Sequence, residues 1–249
     1  MALPEHCIVP DWPAPAGVKA LQTTRNGGIS TAPYDTLNLG LHVGDDPVRV
    51  NRNRQSLAPL MPSEPVWLEQ VHGTVVANAD EAACRVVADA CIARKRGSVC
   101  VVMTADCLPV LLCDEDGSVV GAAHAGWRGL CDGVIEATVQ EMGVAPQKLM
   151  AWLGPTIGSH AFEVGEDVRA AFMAHHADAA AAFIPLAAEG KYRADIVRLA
   201  RQRLNALGIS RIYGGTFCTY HQKDKFFSYR RDGVTGRMGT FIWLADVVR

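Results

Sequence analysis

The sequence lacks several features that mark whole classes of protein. It has no apolar run close to the roughly 20 residues that a membrane-spanning helix needs, and it begins without the basic segment and apolar stretch of a secretory signal. Its 24 Lys and Arg residues nearly balance its 26 Asp and Glu residues, so no basic surplus favours a nucleic acid as partner. We therefore expect a cytoplasmic protein that binds a small molecule, without a membrane or a nucleic acid as partner.

The chain also has no Cys-x-x-Cys pair among its eight cysteines, which excludes a zinc ribbon and a thioredoxin motif. Cys100 and Cys113 stand in runs of valine and leucine, and such settings are typical of small buried side chains in a reducing compartment. Hydrophobic residues make up 49% of the 249 residues and charged residues 20%, which is the composition of a globular chain with a substantial core.

Short β-rich segments and amphipathic helices fill most of the chain. The predicted strands cover residues 18–23, 66–71, 75–77, 99–104, 108–113, 119–123, 149–153, 211–217 and 240–244. The predicted helices cover residues 46–57, 130–142, 166–175 and 194–207. Several strands follow one another without a helix between them, which favours an α+β fold over a doubly wound parallel sheet. We expect a single domain over residues 1–249, with mixed β-sheets flanked by helices.

Three metal-binding side chains stand at the ends of predicted strands, namely those of His72, Cys107 and His124. Strand ends beside glycine-rich turns are common places for functional groups. Two imidazoles and one thiolate suit zinc, and three protein ligands leave a fourth position for water or substrate. The distances along the chain do not require a metal, however. From residue types alone, two hydrogen-bonded histidines and one more buried cysteine remain the simpler interpretation.

Several motifs together resemble one bacterial family over nearly the whole chain. They are QVHG (residues 70–73), TADCLPV (104–110), AHAGWRG (123–129), TRNGGIS (24–30), TLNLG (36–40), GP-x-IG (154–158), FSYRR (227–231) and TGR (235–237). Members of this family have been called multicopper polyphenol oxidases or laccase-domain proteins, purine nucleoside phosphorylases and peptidoglycan editing factors. The resemblance implies that His72, Cys107 and His124 bind zinc, and that the fold is similar to that of the cytotoxic necrotizing factor-like cysteine hydrolases.

The resemblance further implies a purine nucleoside enzyme. The implied reactions are phosphorolysis of adenosine, inosine and S-methyl-5′-thioadenosine, and deamination of adenosine. Deamination needs a proton carrier, and Asp106 is the best candidate in the sequence, although an Asp that caps a turn is an equal alternative. The usual nucleobase deaminase signature, His-x-Glu followed by Pro-Cys-x-x-Cys, is absent.

Phosphorolysis needs an anion site, for which arginines are the candidates. Arg128 lies in the turn Gly126-Trp127-Arg128-Gly129 that leads into a predicted helix, where backbone N–H groups favour phosphate. A second candidate is the cluster of Arg230, Arg231 and Arg237, which a solvated charged hairpin would explain nearly as well. The resemblance alone implies that Arg25 and Asn38 line the substrate pocket.

Three other functions remain open at this point. Copper is the alternative to zinc at a His₂Cys site, as in a polyphenol oxidase, but eight histidines without any His-x-His pair do not suit a multicopper cluster. A metal-free hydrolase would use Cys107 as nucleophile and His124 or His72 as base. A peptidoglycan editing hydrolase would remove L-Ser from the precursor UDP-MurNAc-L-Ser, with the arginine cluster on the diphosphate.

Overall fold

A computed structural model describes residues 7–81 and 86–246 of the chain. Residues 1–6 of the N-terminal segment and Cys84 therefore lie outside the described residues. The strands are β1 (Cys7–Ile8), β2 (Val18–Thr23), β3 (Leu68–Glu69), β4 (Val76–Asn78), β5 (Val86–Val87), β6 (Ala90–Ala93), β7 (Val99–Thr104), β8 (Leu108–Asp114), β9 (Val120–Ala125), β10 (Leu149–Leu153), β11 (Glu163–Gly165), β12 (Phe183–Pro185), β13 (Lys191–Ala194), β14 (Arg211–Gly214) and β15 (Met238–Leu244).

The α-helices are α1 (Pro47–Leu57), α2 (Trp127–Asp132), α3 (Val134–Met142), α4 (Glu166–His175), α5 (Ile196–Ala206) and α6 (Tyr229–Asp232). Short 3₁₀ turns cover Ala58–Leu60, Pro146–Lys148 and Ala177–Ala182. Among the helices that the structure describes, none is long and apolar enough to cross a membrane.

Two sheets form the centre of the molecule. An antiparallel sheet has the order β1-β2-β15-β7, and a mixed sheet has the order β14-β10-β8-β9-β6-β4, with parallel pairs at both of its edges. A three-stranded sheet β11-β13-β12 and a parallel pair β3-β5 complete the described strands. The expected mixed α+β architecture is therefore confirmed.

Successive side chains of β8 pack into two different core clusters, which shows how the sheets and helices stack on each other. Leu108, Val110 and Leu112 belong to a core cluster shared with helices α2 to α5, whereas Leu111 and Cys113 belong to the cluster between the two large sheets. Successive side chains of a strand point to opposite faces, so the mixed sheet is covered by helices on one face and by the antiparallel sheet on the other. Because both faces of β8 are buried, its sequence is an almost continuous apolar run.

Most predicted elements are confirmed, and two helices are corrected. The observed bounds of α1, α4, β2, β7 and β10 coincide with the predicted ones to within a residue. The single helix expected over residues 130–142 is instead two helices, because Gly133 between them adopts φ 101°, a left-handed conformation that favours glycine. The helix expected to begin at residue 194 begins at Ile196, after the unpredicted strand β13.

Candidate metal centre

His72, Cys107 and His124 come together although they lie far apart in the sequence. Their ligand atoms all lie within 4.8 Å of one another, and the Cys107 Sγ is 3.8 Å from the His72 Nε2. His72 is exposed, Cys107 is half-buried and His124 is buried, so the group has one side toward solvent. Within the part of the chain that the structure describes, no other group of three His, Cys, Asp or Glu side chains is arranged in this way.

The pairing of the mixed sheet brings two of the three side chains together. His124 lies in β9, opposite Pro109 of β8, and Cys107 is two residues before Pro109 in the turn that leads into β8. His72 follows β3 and has φ 63°, and Asp106 has φ 92°. Among the described residues these two are the non-glycine residues with positive φ, a conformation that side chains usually avoid and that functional sites retain.

Asp89 connects the two histidines. Its carboxylate accepts hydrogen bonds from the backbone N–H groups of Val71, His72 and Gly73, at 2.7 to 3.1 Å, and it lies 2.8 Å from the His124 Nδ1. The side chain of Asp89 is fully buried. A metal-binding histidine usually donates its second ring N–H to such a carboxylate, which fixes the ring and leaves Nε2 for the metal.

Gly126 provides the space in which the ligand atoms meet. A Cβ at this position would lie 2.8 Å from the His72 Cδ2 and 3.0 Å from the Cys107 Sγ. Contacts this short do not occur between carbon and these atoms, so a larger residue would displace one of the two side chains.

The electrostatics of the protein without a metal favour a thiolate beside a charged imidazole. Burial opposes ionisation of the Cys107 thiol, but the charge and hydrogen bond of His124, helped by His72, lower the pKa of Cys107 to about 6. Burial likewise opposes protonation of His124, but the Cys107 thiolate and the hydrogen bond with Asp89 raise the pKa of His124 to about 9. The thiol is thus ready to act as a ligand at neutral pH.

One pair of donor atoms lies at a distance that suits a tetrahedral metal ion such as zinc. Tetrahedral zinc with a Zn–S bond of about 2.3 Å and Zn–N bonds of about 2.0–2.1 Å holds sulfur and nitrogen about 3.6 Å apart. The observed distance between the Cys107 Sγ and the His72 Nε2 is 3.8 Å. His72, Cys107 and His124 therefore form a group that could hold a metal ion, and the identity of that ion is part of the proposal below.

Comparison with known proteins identifies the family. The model of a family described as multi-copper polyphenol oxidoreductase laccase matches residues 19–245. The chain belongs to this family. It is 54% identical over 240 residues to a purine nucleoside phosphorylase of Pseudomonas aeruginosa (96% of this chain, 98% of that protein). It is 56% identical over 240 residues to the purine nucleoside phosphorylase YfiH of Escherichia coli (95% of this chain, 98% of that protein).

A crystal structure of a Neisseria meningitidis protein superposes with a TM-score of 0.93 at 50% identity, covering 97% of this chain and all of that one. The resemblance stated from the motifs is therefore confirmed, and relatives named purine nucleoside phosphorylase indicate an enzyme that acts on a small molecule. The similarity to the cysteine hydrolase fold stays a prediction.

Two adjoining cavities begin at the candidate metal-binding group. The first, of about 430 Å³, is bordered by the three ligand residues and by His42, Gln70, Met103, Thr104, Ala105, Tyr229 and Arg237. The second, of about 170 Å³, is bordered by Asp106, Trp127, Ile157, Phe162, Ile196 and Arg230. Ala105, Cys107 and Tyr229 border both cavities, so a ligand could extend from one into the other.

Other residues predicted for the site have structural partners instead. The Arg25 guanidinium bonds Asp35 and the Lys223 carbonyl, and buried Asn38 bonds Asp45 and the backbone of Gly40. Arg231 donates to three backbone carbonyls and to Asp232. None of these residues borders the two cavities described above, and their substrate-binding role stays a prediction.

Arg128 and Asp106 have more specific surroundings. Arg128 is exposed, with its guanidinium carbon 4.4 Å from the centre of the Trp127 ring. The Asp106 carboxylate accepts hydrogen bonds from the hydroxyls of Thr219 and Ser228 and from the backbone N–H of Arg230. These bonds fasten two distant loops together, so the structure gives Asp106 a turn-stabilising part, and proton transfer by this residue stays a prediction.

The sequence-based search missed Asp89, His42, Gln70 and Tyr229. Asp89 precedes an apolar strand and resembles an ordinary turn residue, and only the pairing of β6 with β9 places it against His124. Gln70 precedes the predicted ligand in QVHG, and this neighbourhood was an available signal. Desolvation and the positive charges of Arg237 and Arg54 lower the pKa of His42, which keeps its imidazole neutral at neutral pH.

Proposed function

We propose that the protein is a zinc-dependent purine nucleoside phosphorylase, acting on adenosine, inosine and S-methyl-5′-thioadenosine. The observation that carries this proposal is the meeting of His72, Cys107 and His124 at the wall of a cavity, in a chain whose relatives carry that name. In phosphorolysis a phosphate oxygen forms a bond to C1′ while the bond from C1′ to N9 breaks and the base takes up a proton. Such a site must hold phosphate and nucleoside side by side.

The group of His72, Cys107 and His124 is the first part of the proposed active site. His72, Cys107 and His124 would hold the ion, and zinc bound there would supply Lewis acidity toward an oxygen of the substrate. Asp89 fixes the His124 ring, and the same carboxylate holds the backbone at His72. Because both histidines depend on one buried carboxylate, the group is organised before a ligand arrives.

Arg237 is the cationic side chain that the structure places at the metal cavity. Its Nη1 donates to the carbonyls of Thr235 and Gly236, which fixes the guanidinium. Its Nε and Nη2 have no hydrogen-bond partner among the described residues and could hold phosphate through two parallel bonds. Of the predicted arginine cluster Arg230, Arg231 and Arg237, it is therefore Arg237 that we propose as the phosphate-binding residue.

The smaller cavity is suited to the base. Trp127, Phe162 and Tyr229 offer aromatic rings there, with Ile157 and Ile196 between them. Aromatic and aliphatic surfaces bind a planar purine by stacking and by the hydrophobic effect. The ribose would then lie where Cys107 and Tyr229 border both cavities, between the base and the metal.

Elemental analysis and a phosphorolysis assay test the proposal together. We expect about one zinc per chain, and release of hypoxanthine from inosine that requires phosphate. His72→Ala, Cys107→Ala and His124→Ala should each remove bound zinc and activity while the chain stays folded. Cys218→Ala is the matched control, because Cys218 also contacts a histidine (3.2 Å from its Sγ to the His221 Nδ1) but belongs to no three-residue group. Full activity in metal-free Cys107→Ala protein would contradict the mechanism.

A metal-free cysteine hydrolase is the second candidate. The observation that favours it is the thiolate of Cys107 paired with protonated His124, since burial is outweighed by their interaction and the pKa of Cys107 falls to about 6. Removal of the metal with a chelator separates the two functions. The hydrolase would retain its turnover after chelation, whereas the phosphorylase would lose it and regain it with added zinc.

The remaining activities are alternatives for the same site and the same purified protein. Adenosine deamination would release ammonia, peptidoglycan editing would release L-Ser from UDP-MurNAc-L-Ser, and a polyphenol oxidase would bind copper and consume oxygen. Each assay has a distinct product, so parallel measurements rank the activities.

A single domain over residues 1–249 and a cytoplasmic location belong to the proposal as well. The seven described cysteines are all free, which supports a reducing compartment.

A further inference from the structure

Thr104 has a hydroxyl group that the fold does not use. It is the last residue of β7, its backbone pairs with Met238 of β15, and 1% of the residue is exposed. Its Oγ1 is buried without a hydrogen-bond partner among the described residues. A buried hydroxyl without a partner destabilises a protein, and native structures contain few of them.

The strand places this hydroxyl near the metal-binding group. Cys100 and Val102 of β7 face the core between the two large sheets, and the period of two places Thr104 on the same face. This face leads to the ends of β8 and β9, where Cys107 and His124 lie. Thr104 accordingly borders the 430 Å³ cavity together with both of these residues.

Gln70, another polar residue of this wall, already has hydrogen-bond partners. Gln70 uses both ends of its amide on the backbone of Met103, donating to the carbonyl at 2.8 Å and accepting from the N–H at 2.7 Å. Its amide is therefore unavailable to a ligand without breaking two hydrogen bonds. A threonine hydroxyl can donate one hydrogen bond and accept others, so Thr104 retains its full capacity.

We propose that the Thr104 hydroxyl binds the nucleoside, by a hydrogen bond to a polar atom of the ligand in the metal cavity. This inference rests on the proposed function and adds a residue to it. The hydroxyl is maintained at a cost to stability because its partner arrives with the substrate. Removing it should therefore weaken binding of the nucleoside without weakening the fold.

Thr235 offers a matched control. It is also buried, with 2% of the residue exposed, and its Oγ1 also has no hydrogen-bond partner among the described residues. Unlike Thr104, it is not among the residues that border either cavity, and a change of its side chain keeps the backbone carbonyl that accepts from Arg237. Thr104→Val and Thr235→Val thus make the same chemical change at two buried hydroxyls without a partner, of which only one belongs to a residue that borders the proposed ligand cavity.

The experiment measures inosine affinity by calorimetry and unfolding by urea for the zinc-loaded variants. We expect Thr104→Val to bind inosine about five- to tenfold more weakly, the scale of one neutral hydrogen bond. Its urea midpoint should equal or exceed that of the unchanged protein. Thr104→Ser, which keeps the hydroxyl, should restore most of the affinity, and Thr235→Val should bind inosine normally.

Two different failures can be told apart. If the unchanged protein binds inosine and Thr104→Val binds it equally well, or if the loss appears in the urea midpoint alone, the Thr104 inference is wrong and the proposed function stands. If the unchanged protein binds no purine nucleoside, both are wrong. Should Thr104→Val not fold, a crystal structure with inosine decides, because no ligand atom within hydrogen-bond distance of the Thr104 Oγ1 would overturn the inference.

Discussion

The carboxylate of Asp89 lies 2.8 Å from the His124 Nδ1 and at the same time receives the backbone N–H of His72 at 2.9 Å. One fully buried side chain thus contacts two of the three candidate metal-binding residues. Burial opposes its charge, but the hydrogen bonds from His124 and from the Gly73 and Val71 backbone outweigh burial and lower the pKa of Asp89. The carboxylate is therefore charged across the neutral range, as a partner of a metal-binding histidine should be.

Asp89→Asn should weaken zinc binding by about 10- to 100-fold, because the amide no longer orients the His124 ring by charge. Zinc affinity measured by competition with a chromophoric chelator checks this. The control is Asp114→Asn, since Asp114 is also buried and also accepts backbone N–H groups, but in the turn between β8 and β9. That variant should lose stability and keep its zinc affinity, and equal losses of zinc in both variants would contradict the positioning role.

Gly126→Ala should remove the metal while leaving the fold intact. The added methyl group would lie 2.8 Å from the His72 Cδ2 and 3.0 Å from the Cys107 Sγ, so one ligand must move. Gly73→Ala is the control beside His72, because its Cβ would find ordinary contacts of 3.6 Å and longer. Zinc content after dialysis, compared with circular dichroism of the same samples, separates loss of the site from loss of the fold. Normal zinc content in Gly126→Ala would show that the site tolerates a wider spacing.

The sequence predicts those parts of this molecule that depend on local patterns. The bounds of α1 follow from Asp46 as N-cap and Pro47 in the first turn, and the cap is present, since the Asp46 side chain accepts from the Val48 N–H. The break at Gly133 was missed because a glycine within an amphipathic stretch also occurs in continuous helices. It takes the packing of α2 and α3 on the mixed sheet to select the left-handed conformation there.

The candidate site, too, could be predicted from the sequence only in part. Metal-binding side chains at strand ends are visible in the sequence, whereas their partners depend on which strands pair. The roles that resemblance implied for Arg25, Asn38 and Arg231 illustrate the limit, because a recurring polar residue in a motif can hold loops together as well as bind a substrate. Only the hydrogen-bond partners in the structure distinguish these two uses.

Alkylation of Cys107 in the metal-free protein should remain fast down to about pH 6. Since its pKa is lowered to about 6, the thiolate persists at neutral pH and is lost as the pH falls through that value. The rate of iodoacetamide labelling at this peptide, followed by mass spectrometry from pH 5 to 9, measures the transition. Zinc should protect the thiol, and Cys107→Ala should abolish the labelled peptide. A midpoint near 8.5, the usual value for a free thiol, would show that the pair with His124 does not form.

Asp106→Asn should destabilise the protein more than it alters chemistry. The carboxylate accepts three hydrogen bonds, from Thr219, Ser228 and the Arg230 N–H, and an amide can accept only part of them. We expect a loss of about 2 kcal/mol in the free energy of unfolding, the scale of charge-assisted hydrogen bonds. Urea unfolding and kcat measured on the same preparation check this. A large loss of kcat with unchanged stability would instead support proton transfer by Asp106.

Arg237 and Arg128 compete for the role of phosphate-binding residue, and their surroundings favour Arg237. Its Nη1 is fixed by two carbonyls at the metal cavity, whereas Arg128 is exposed and lies over the Trp127 ring. Arg237→Gln should therefore raise KM for phosphate by about tenfold or more, because it removes a charge-assisted bidentate contact. Arg237→Lys should recover part of the affinity through its charge, since an ammonium group binds an anion as a point charge without the two parallel bonds.

Arg128→Gln is the comparison within the same assay, with KM for phosphate and KM for inosine measured separately. If exposure limits its contribution, the KM for phosphate should change less than about threefold, in line with the small free energies of solvent-exposed ion pairs. The opposite order, with phosphate affinity lost in Arg128→Gln and retained in Arg237→Gln, would move the anion from the metal cavity to the start of α2.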